Sequence, residues 1–176
     1  MSSFQPPILG FAAFSGTGKT TLLTQLIPVL KRRKHRVGVI KHSHHDIDLD
    51  QPGKDSHRLR MAGATPVMLV SAHRRTVITE LDASNPLTLN DQIDAFPLAG
   101  LDLLLIEGFR HEPYPKIELH RPSLGKPLLY PDDEHIIALA SDQALTTPQP
   151  LPCLDLNDIE AIADFIVERF LSNKHD

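Results

Sequence analysis

Three stretches of the chain are apolar almost without interruption: residues 8–13 (ILGFAA), 101–108 (LDLLLIEG) and 135–141 (HIIALAS). Runs of this kind read as strands buried on both faces, as in the middle of a parallel sheet. Residues 36–41 (RVGVIK) read as a further buried strand and residues 116–120 (KIELH) as another. Between the runs the apolar spacing changes. Leu22, Leu23, Leu26, Ile27 and Leu30 line one face of a helix, with a kink expected near Thr24 because Pro28 lacks an N–H. Ile159, Ile162, Ala163, Ile166, Val167 and Phe170 form the stripe of a last helix. Asn157 is its expected cap, and Glu160 completes a capping box. A short helix is expected over 53–61, ended by Gly63, and a weakly patterned one over 86–98. Residues 67–70 and 76–81 read as two strands of an antiparallel hairpin, turned at His73, Arg74 and Arg75. Residues 121–133, with three prolines and one glycine, read as a surface loop, and residues 146–152 as a proline-rich connection. Strands alternating with helices predict an α/β fold: a mostly parallel sheet with helices on both faces and an antiparallel hairpin extension, in a single domain over 1–176.

The first strand runs into Ala13-Phe14-Ser15-Gly16-Thr17-Gly18-Lys19-Thr20-Thr21, and a helix follows. Strand, glycine-rich turn and helix start together form a phosphate cradle, so the sheet is expected to be a P-loop NTPase three-layer sandwich. Gly16 and Gly18 let backbone N–H groups close on an anion, and the new helix points its positive end at the same place. Lys19 adds a full charge for the β- and γ-phosphates, and Thr20 offers a hydroxyl to magnesium. Ser15, Gly16, Thr17, Gly18, Lys19, Thr20 and Thr21 are therefore the expected nucleotide-binding residues. Ala13 stands where the motif usually has its first glycine.

Ligands of such sheets lie at the carboxyl ends of the strands, and three more candidate groups fall there. Glu107 ends the most apolar run and is placed to face magnesium or to orient an attacking water. The run 41–50 (KHSHHDIDLD) carries three histidines and three aspartates. It reads as a loop closing over the γ-phosphate and magnesium, with Asp46 as the metal or water contact. The other readings are a transition-metal loop and a solvated polar loop, although the histidine spacing matches no closed zinc site. Asp142 follows the strand at 135–141 and offers a carboxylate that accepts from N1–H and the exocyclic amine of guanine but not from adenine. The Asn and Lys that usually precede a guanine-reading Asp are absent, so a loop or cap role stands beside it. Lys54 and Asp55 either hold a second anionic group or start the next helix.

Composition narrows the picture. With 176 residues, 41% of them hydrophobic, the chain has the size and core of one ordinary domain. A net charge of −4 argues against a dedicated nucleic-acid binder, and the basic run 31–36 reads as a solvated helix end. No apolar run approaches a membrane span and no signal peptide is expected. Cys153 is the single cysteine, so no intrachain disulfide forms; it reads as a small buried hydrophobe in a cytoplasmic protein.

In order along the chain, FAAFSGTGKTTLL, VIKHSHHDIDLDQPGKDS, Arg60-Met61-Ala62-Gly63-Ala64, LLLIEGFRHE and IALASD resemble the MobB family, the molybdopterin-guanine dinucleotide biosynthesis adaptor proteins. The histidine loop and the EGF segment are more specific than the phosphate loop, and the family shares alanine at position 13. The resemblance implies a homodimeric protein that binds GTP and Mg2+ and hydrolyses GTP weakly. It implies an adaptor for the molybdopterin guanylyltransferase, and for molybdopterin itself, with delivery of the product to molybdoenzymes. Weak turnover also fits the residues: no internal arginine finger or water-orienting glutamine is evident, Arg110 being the nearest candidate finger. Three rivals remain on the residues alone. They are an ATP-dependent small-molecule kinase or ligase, a metal-delivery GTPase using His42, His44 and His45, and a scaffold that binds nucleotide without turnover.

Overall fold

The computed structural model describes residues 5–43, 50–82, 84–85, 87–145 and 148–172. The chain forms two compact units, Met1–His42 with Leu89–Asp176, and Ser43–Thr88.

The larger unit is built on a six-stranded sheet. Its strands are β1 (Ile8–Ala12), β2 (Val37–Lys41), β5 (Leu103–Glu107), β6 (Lys116–His120), β7 (Ile136–Ser141) and β8 (Cys153–Asp155). The order is β2-β5-β1-β6-β7-β8, and every neighbouring pair is parallel. The apolar runs are therefore central strands with both faces covered, as their composition demands. On one face, Leu9, Phe11, Leu103, Leu105, Ile117, Leu119, Ala138 and Ala140 pack against helices α1 (Lys19–Arg32) and α4 (Ile159–Ile166). On the other, Leu104 and Ile106 meet Leu89 and Ile93 of α3 (Leu89–Ala95) and the ring of Tyr114.

α1 is one 14-residue helix that includes Pro28, and it ends in a left-handed Lys34, with Lys34 N–H donating to Lys31 O and His35 N–H to Leu30 O. Its basic end is tied down as well as solvated, because Arg32 and Arg33 both pair with Glu160 at 2.7 Å and Arg33 also reaches Asp164. Glu160 thus joins two helices and completes no capping box. The cap of α4 is Asp158, whose carboxylate accepts from Ala161 N–H at 2.9 Å; the Asn157 N–H donates to Asp155 instead. β8 was hidden in sequence because three residues after a proline-rich stretch show no alternation. Cys153 lies on this edge strand and is exposed, which corrects its reading as a buried hydrophobe.

The segment after β6 is more than a surface loop. Lys116, Glu118 and His120 alternate on one face of β6 and are all buried. The Glu118 carboxylate accepts from the N–H groups of Leu129 and Tyr130 at 2.8 and 2.9 Å, and Lys116 meets Asp133 at 2.8 Å. The segment is therefore anchored to the sheet by charge-assisted bonds. Burial raises the Glu118 carboxyl above its ordinary value despite the two N–H groups, and burial lowers the His120 imidazole.

The smaller unit holds α2 (Asp55–Met61) and the antiparallel pair β3 (Val67–Val70) with β4 (Arg75–Ile78), so the second hairpin strand lies three residues earlier at its end than 76–81. Ser71 closes the turn through Arg74, and Arg60 joins α2 to Glu80 at 2.8 Å. Lys54 and Asp55 start α2, Lys54 at the cap position.

Candidate nucleotide site

The phosphate loop leaves β1 at Ala12 and enters α1 at Lys19, with Gly16 and Gly18 at φ 81° and 104°. Those angles belong to the left-handed region, which explains both glycines. A Cβ on Gly16 would meet no atom within 4 Å, so the space beside this glycine is open. The methyl of Ala13 is packed in the core beneath α1 and does not enter the loop. Thr17 is buried and braces the turn from inside, its hydroxyl donating to Phe14 O at 2.9 Å. The Lys19 ammonium folds back onto Ala13 O at 2.9 Å and Phe14 O at 3.4 Å. Burial lowers its pKa; Glu107 opposes that shift, while Lys41 and Arg110 add to it.

Glu107 ends β5 beside the loop. Its Oε1 accepts from the Thr20 hydroxyl at 3.3 Å, and both its oxygens lie 3.0 Å from the Lys41 ammonium at the end of β2. The turn after Glu107 is held from two sides. Gly108 and Phe109 both have positive φ, and a Cβ on Gly108 would stand 2.6 Å from the Cβ of His42. Phe109 stacks on the His42 ring at 4.6 Å. On the opposite flank the Tyr114 hydroxyl donates to Gly108 O at 2.7 Å, and its ring lies over Gly10. Burial pushes the Tyr114 phenol up, so it stays a donor at neutral pH. Arg110 is exposed and donates to His111 at 3.0 Å.

On the other flank of β1, Arg121 follows β6. It donates to Thr17 O through Nε at 2.8 Å and to Asp142 Oδ2 through Nη1. Asp142 follows β7 and lines a cavity of about 660 Å3 together with Gln143, Leu145, Gln149 and Cys153. Its second oxygen, Oδ1, is buried with no hydrogen-bond partner among the described residues.

The structure thus brings Lys19, Thr20 and Glu107 together, and sets Asp142 on the opposite side of the same loop. Ser15 and Thr21 are exposed at its rim. Asp46, His44 and His45 lie outside the described residues, and His42 is packed against the turn after Glu107. Among the described residues no group of three His, Cys, Asp or Glu side chains is placed to hold a metal. Two cations, Lys41 and Arg121, had no assigned role in the sequence reading. Lys41 ends β2 and Arg121 directly follows β6, but only the strand order shows that both flank the phosphate loop.

The family model for Molybdopterin guanine dinucleotide synthesis protein B (MobB) matches residues 8–142. The chain is 48% identical over 163 residues to the molybdopterin-guanine dinucleotide biosynthesis adapter protein of Escherichia coli (strain K12), covering 92% of each chain. It is 45% identical over 172 residues to that of Haemophilus influenzae, covering 97% of this chain and 93% of the relative. Among solved structures it is similar to a crystal structure of molybdopterin-guanine biosynthesis protein B, with a TM-score of 0.71, 25% identity, and 92% and 98% of the two chains covered. A crystal structure of Bacillus subtilis MobB gives a TM-score of 0.70 at 25% identity, covering 93% and 98%.

Proposed function

Since the chain belongs to the MobB family, we propose that it acts in molybdopterin-guanine dinucleotide biosynthesis as an adapter, and that it does so as a GTP- and Mg2+-binding protein with slow GTPase activity. The observation that carries the nucleotide half is the order of groups along the carboxyl edge of the sheet. From β2 to β7 it reads Lys41, Glu107, phosphate loop, Arg121, Asp142. Metal-side groups stand on one flank of the loop and the base-reading carboxylate on the other.

The residues fit the group they would hold. Thr20 and Glu107 offer hard oxygens 3.3 Å apart, the donor type magnesium takes. The open space beside Gly16 leaves room for an anion. Bound magnesium-GTP supplies the phosphoanhydride and the cation that neutralises its developing charge. The backbone N–H groups from Ser15 to Thr21 bind the phosphates, and Lys19 exchanges its two carbonyl partners for phosphate oxygens. Glu107 orients a metal contact or the attacking water, with Asp46 as the second such group. Asp142 accepts from the guanine edge and leaves adenine unpaired, which favours GTP. Calorimetry with magnesium present tests this reading: Lys19→Ala abolishes GTP binding, and unchanged affinity in that variant overturns it.

The protein works as a homodimer in this reading. The smaller unit leaves Val70 71% exposed and Leu81 and Met61 62% exposed, and among the described residues both outer edges of its hairpin are unpaired. An isolated two-strand hairpin is marginal, and bare apolar patches of this kind mark a contact surface. Light scattering checks it, since a monomeric mass refutes the pairing. Among the described residues no helix is long and apolar enough to cross a membrane. The partner is the molybdopterin guanylyltransferase, with molybdopterin as its cargo, in the cytoplasm. Pull-down of that enzyme with GTP or GDP present is the direct assay.

A further inference from the structure

One cation on the carboxyl edge has no part in the roles above. Arg121 stands between the phosphate loop and Asp142, and its guanidinium touches both. Nε donates to the carbonyl of Thr17, a residue that is itself buried and bonded to Phe14 O. Nη1 donates to Asp142 Oδ2, and Nη2 stands 3.7 Å from the point a Cβ on Gly18 would occupy. A rigid planar fork is thus fastened at one end to the loop that holds phosphates and at the other to a single carboxylate oxygen.

The carboxylate shows what this fastening is for. A lone Asp at a strand end turns freely about its side-chain bonds. Here one oxygen is fixed by Arg121, which also fixes where the other points. That other oxygen, Oδ1, is buried without a partner among the described residues. An acceptor shut away from water and left unbonded is costly, so the fastening by Arg121 holds this side chain in an orientation it would not keep alone. A carboxylate oxygen also accepts more than one bond, so Oδ2 retains a lone pair beside Arg121. Asp142 lines a cavity of about 660 Å3, where a carboxylate whose orientation is set by Arg121 would meet the paired N1–H and amine donors of guanine.

We propose that Arg121 is the positioning residue for base recognition, setting the Asp142 carboxylate for guanine and linking that contact to the phosphate loop through Thr17. This rests on the reading of Asp142 as the base-reading group. The linkage makes base and phosphate binding interdependent: a nucleotide that satisfies Asp142 leaves the Arg121 to Thr17 contact in place.

The test measures magnesium-dependent binding of GTP, ATP, XTP and inorganic tripolyphosphate by calorimetry. Arg121→Met keeps the aliphatic stem and removes the fork. It is expected to weaken GTP about tenfold or more, while tripolyphosphate changes less than about threefold and the GTP-to-ATP ratio falls toward one. Arg121→Lys keeps the charge without the two-ended geometry and restores the ratio only in part. Equal loss of GTP and tripolyphosphate, or an unchanged GTP-to-ATP ratio, overturns the positioning role and leaves Arg121 as a brace for the loop. Asp142→Asn is the separate control. Its amide donates where the carboxylate accepted, so preference moves from GTP toward XTP. If it does not move, the base-reading role of Asp142 fails and the Arg121 proposal falls with it. If it moves while Arg121→Met leaves the ratio intact, only the Arg121 proposal fails.

Discussion

Replacing Lys41 with Met should make magnesium bind more tightly. The Lys41 ammonium lies 3.0 Å from both oxygens of Glu107, the carboxylate proposed to face the metal. A cation already seated there competes with any second cation, so part of the metal's binding energy goes into displacing it. The size of that term follows from exposure. Lys41 is 55% exposed and Glu107 only 13%, so the pair is screened on one side and held at the other. Exposed pairs contribute about 0.2–1 kcal/mol, and contact with both oxygens places this one near the upper end. About 1 kcal/mol corresponds to about fivefold in an equilibrium constant. At saturating GTP, the Mg2+ concentration giving half-maximal binding is therefore expected to drop about fivefold in Lys41→Met. A midpoint that is unchanged, or higher, refutes the competition. Glu107→Gln sharpens the test: in that background Lys41→Met should have no further effect, because the two side chains act through one contact.

Two other perturbations probe the scaffold. A Cβ on Gly10 would lie 2.2 Å from Tyr114 Cε2, so Gly10→Ala must push the buried ring that pins Gly108; a loss of about 1–3 kcal/mol is expected in denaturant unfolding. Burial lowers the His120 pKa below its ordinary 6.5, so the unfolded chain binds more protons than the folded one just under that value. Its contribution to stability is then lost as pH falls through that window, while the raised Glu118 carboxyl slopes the other way. The readout is accordingly the difference between wild type and His120→Gln over about pH 7 to about pH 5, where the variant should lose less stability on acidification; parallel curves refute it.

The sequence was most informative where one strong pattern had one physical solution. An unbroken apolar run such as 103–106 has to be buried on both faces, and glycines flanking Thr17 before Lys19 have to form a tight turn. It was least informative where the answer depended on neighbours distant in the chain. Asn157 and Asp158 are equally good caps by residue type. The cap is Asp158, whose carboxylate accepts from the Ala161 N–H, because the helix starts one residue later than the pattern suggests. Nothing in the run 116–120 shows that Lys116 and Glu118 are buried; their partners are the Asp133 carboxylate and the N–H groups of Leu129 and Tyr130, which come later in the chain. Arg121 carried no local signal at all, since its two partners lie 104 and 21 residues away.

Strand order turns these scattered residues into one polarised edge. β1 sits between β5 and β6, so the phosphate loop has a carboxylate with a lysine on one side and an arginine with a carboxylate on the other. Each flank pairs one positive with one negative side chain, and each carboxylate also touches the loop, Glu107 at Thr20 directly and Asp142 at Thr17 through Arg121. Magnesium arriving at Glu107 would therefore exchange the Lys41 contact for a new one, without burying an uncompensated charge, while the contact of Arg121 with Asp142 stays in place. Such an exchange costs little in either direction, which suits the nucleotide uptake and release proposed above. The same feature accounts for the slow GTPase activity of that proposal. Groups bonded to one another, as Glu107 and Lys41 are, have to be redirected toward the developing charge.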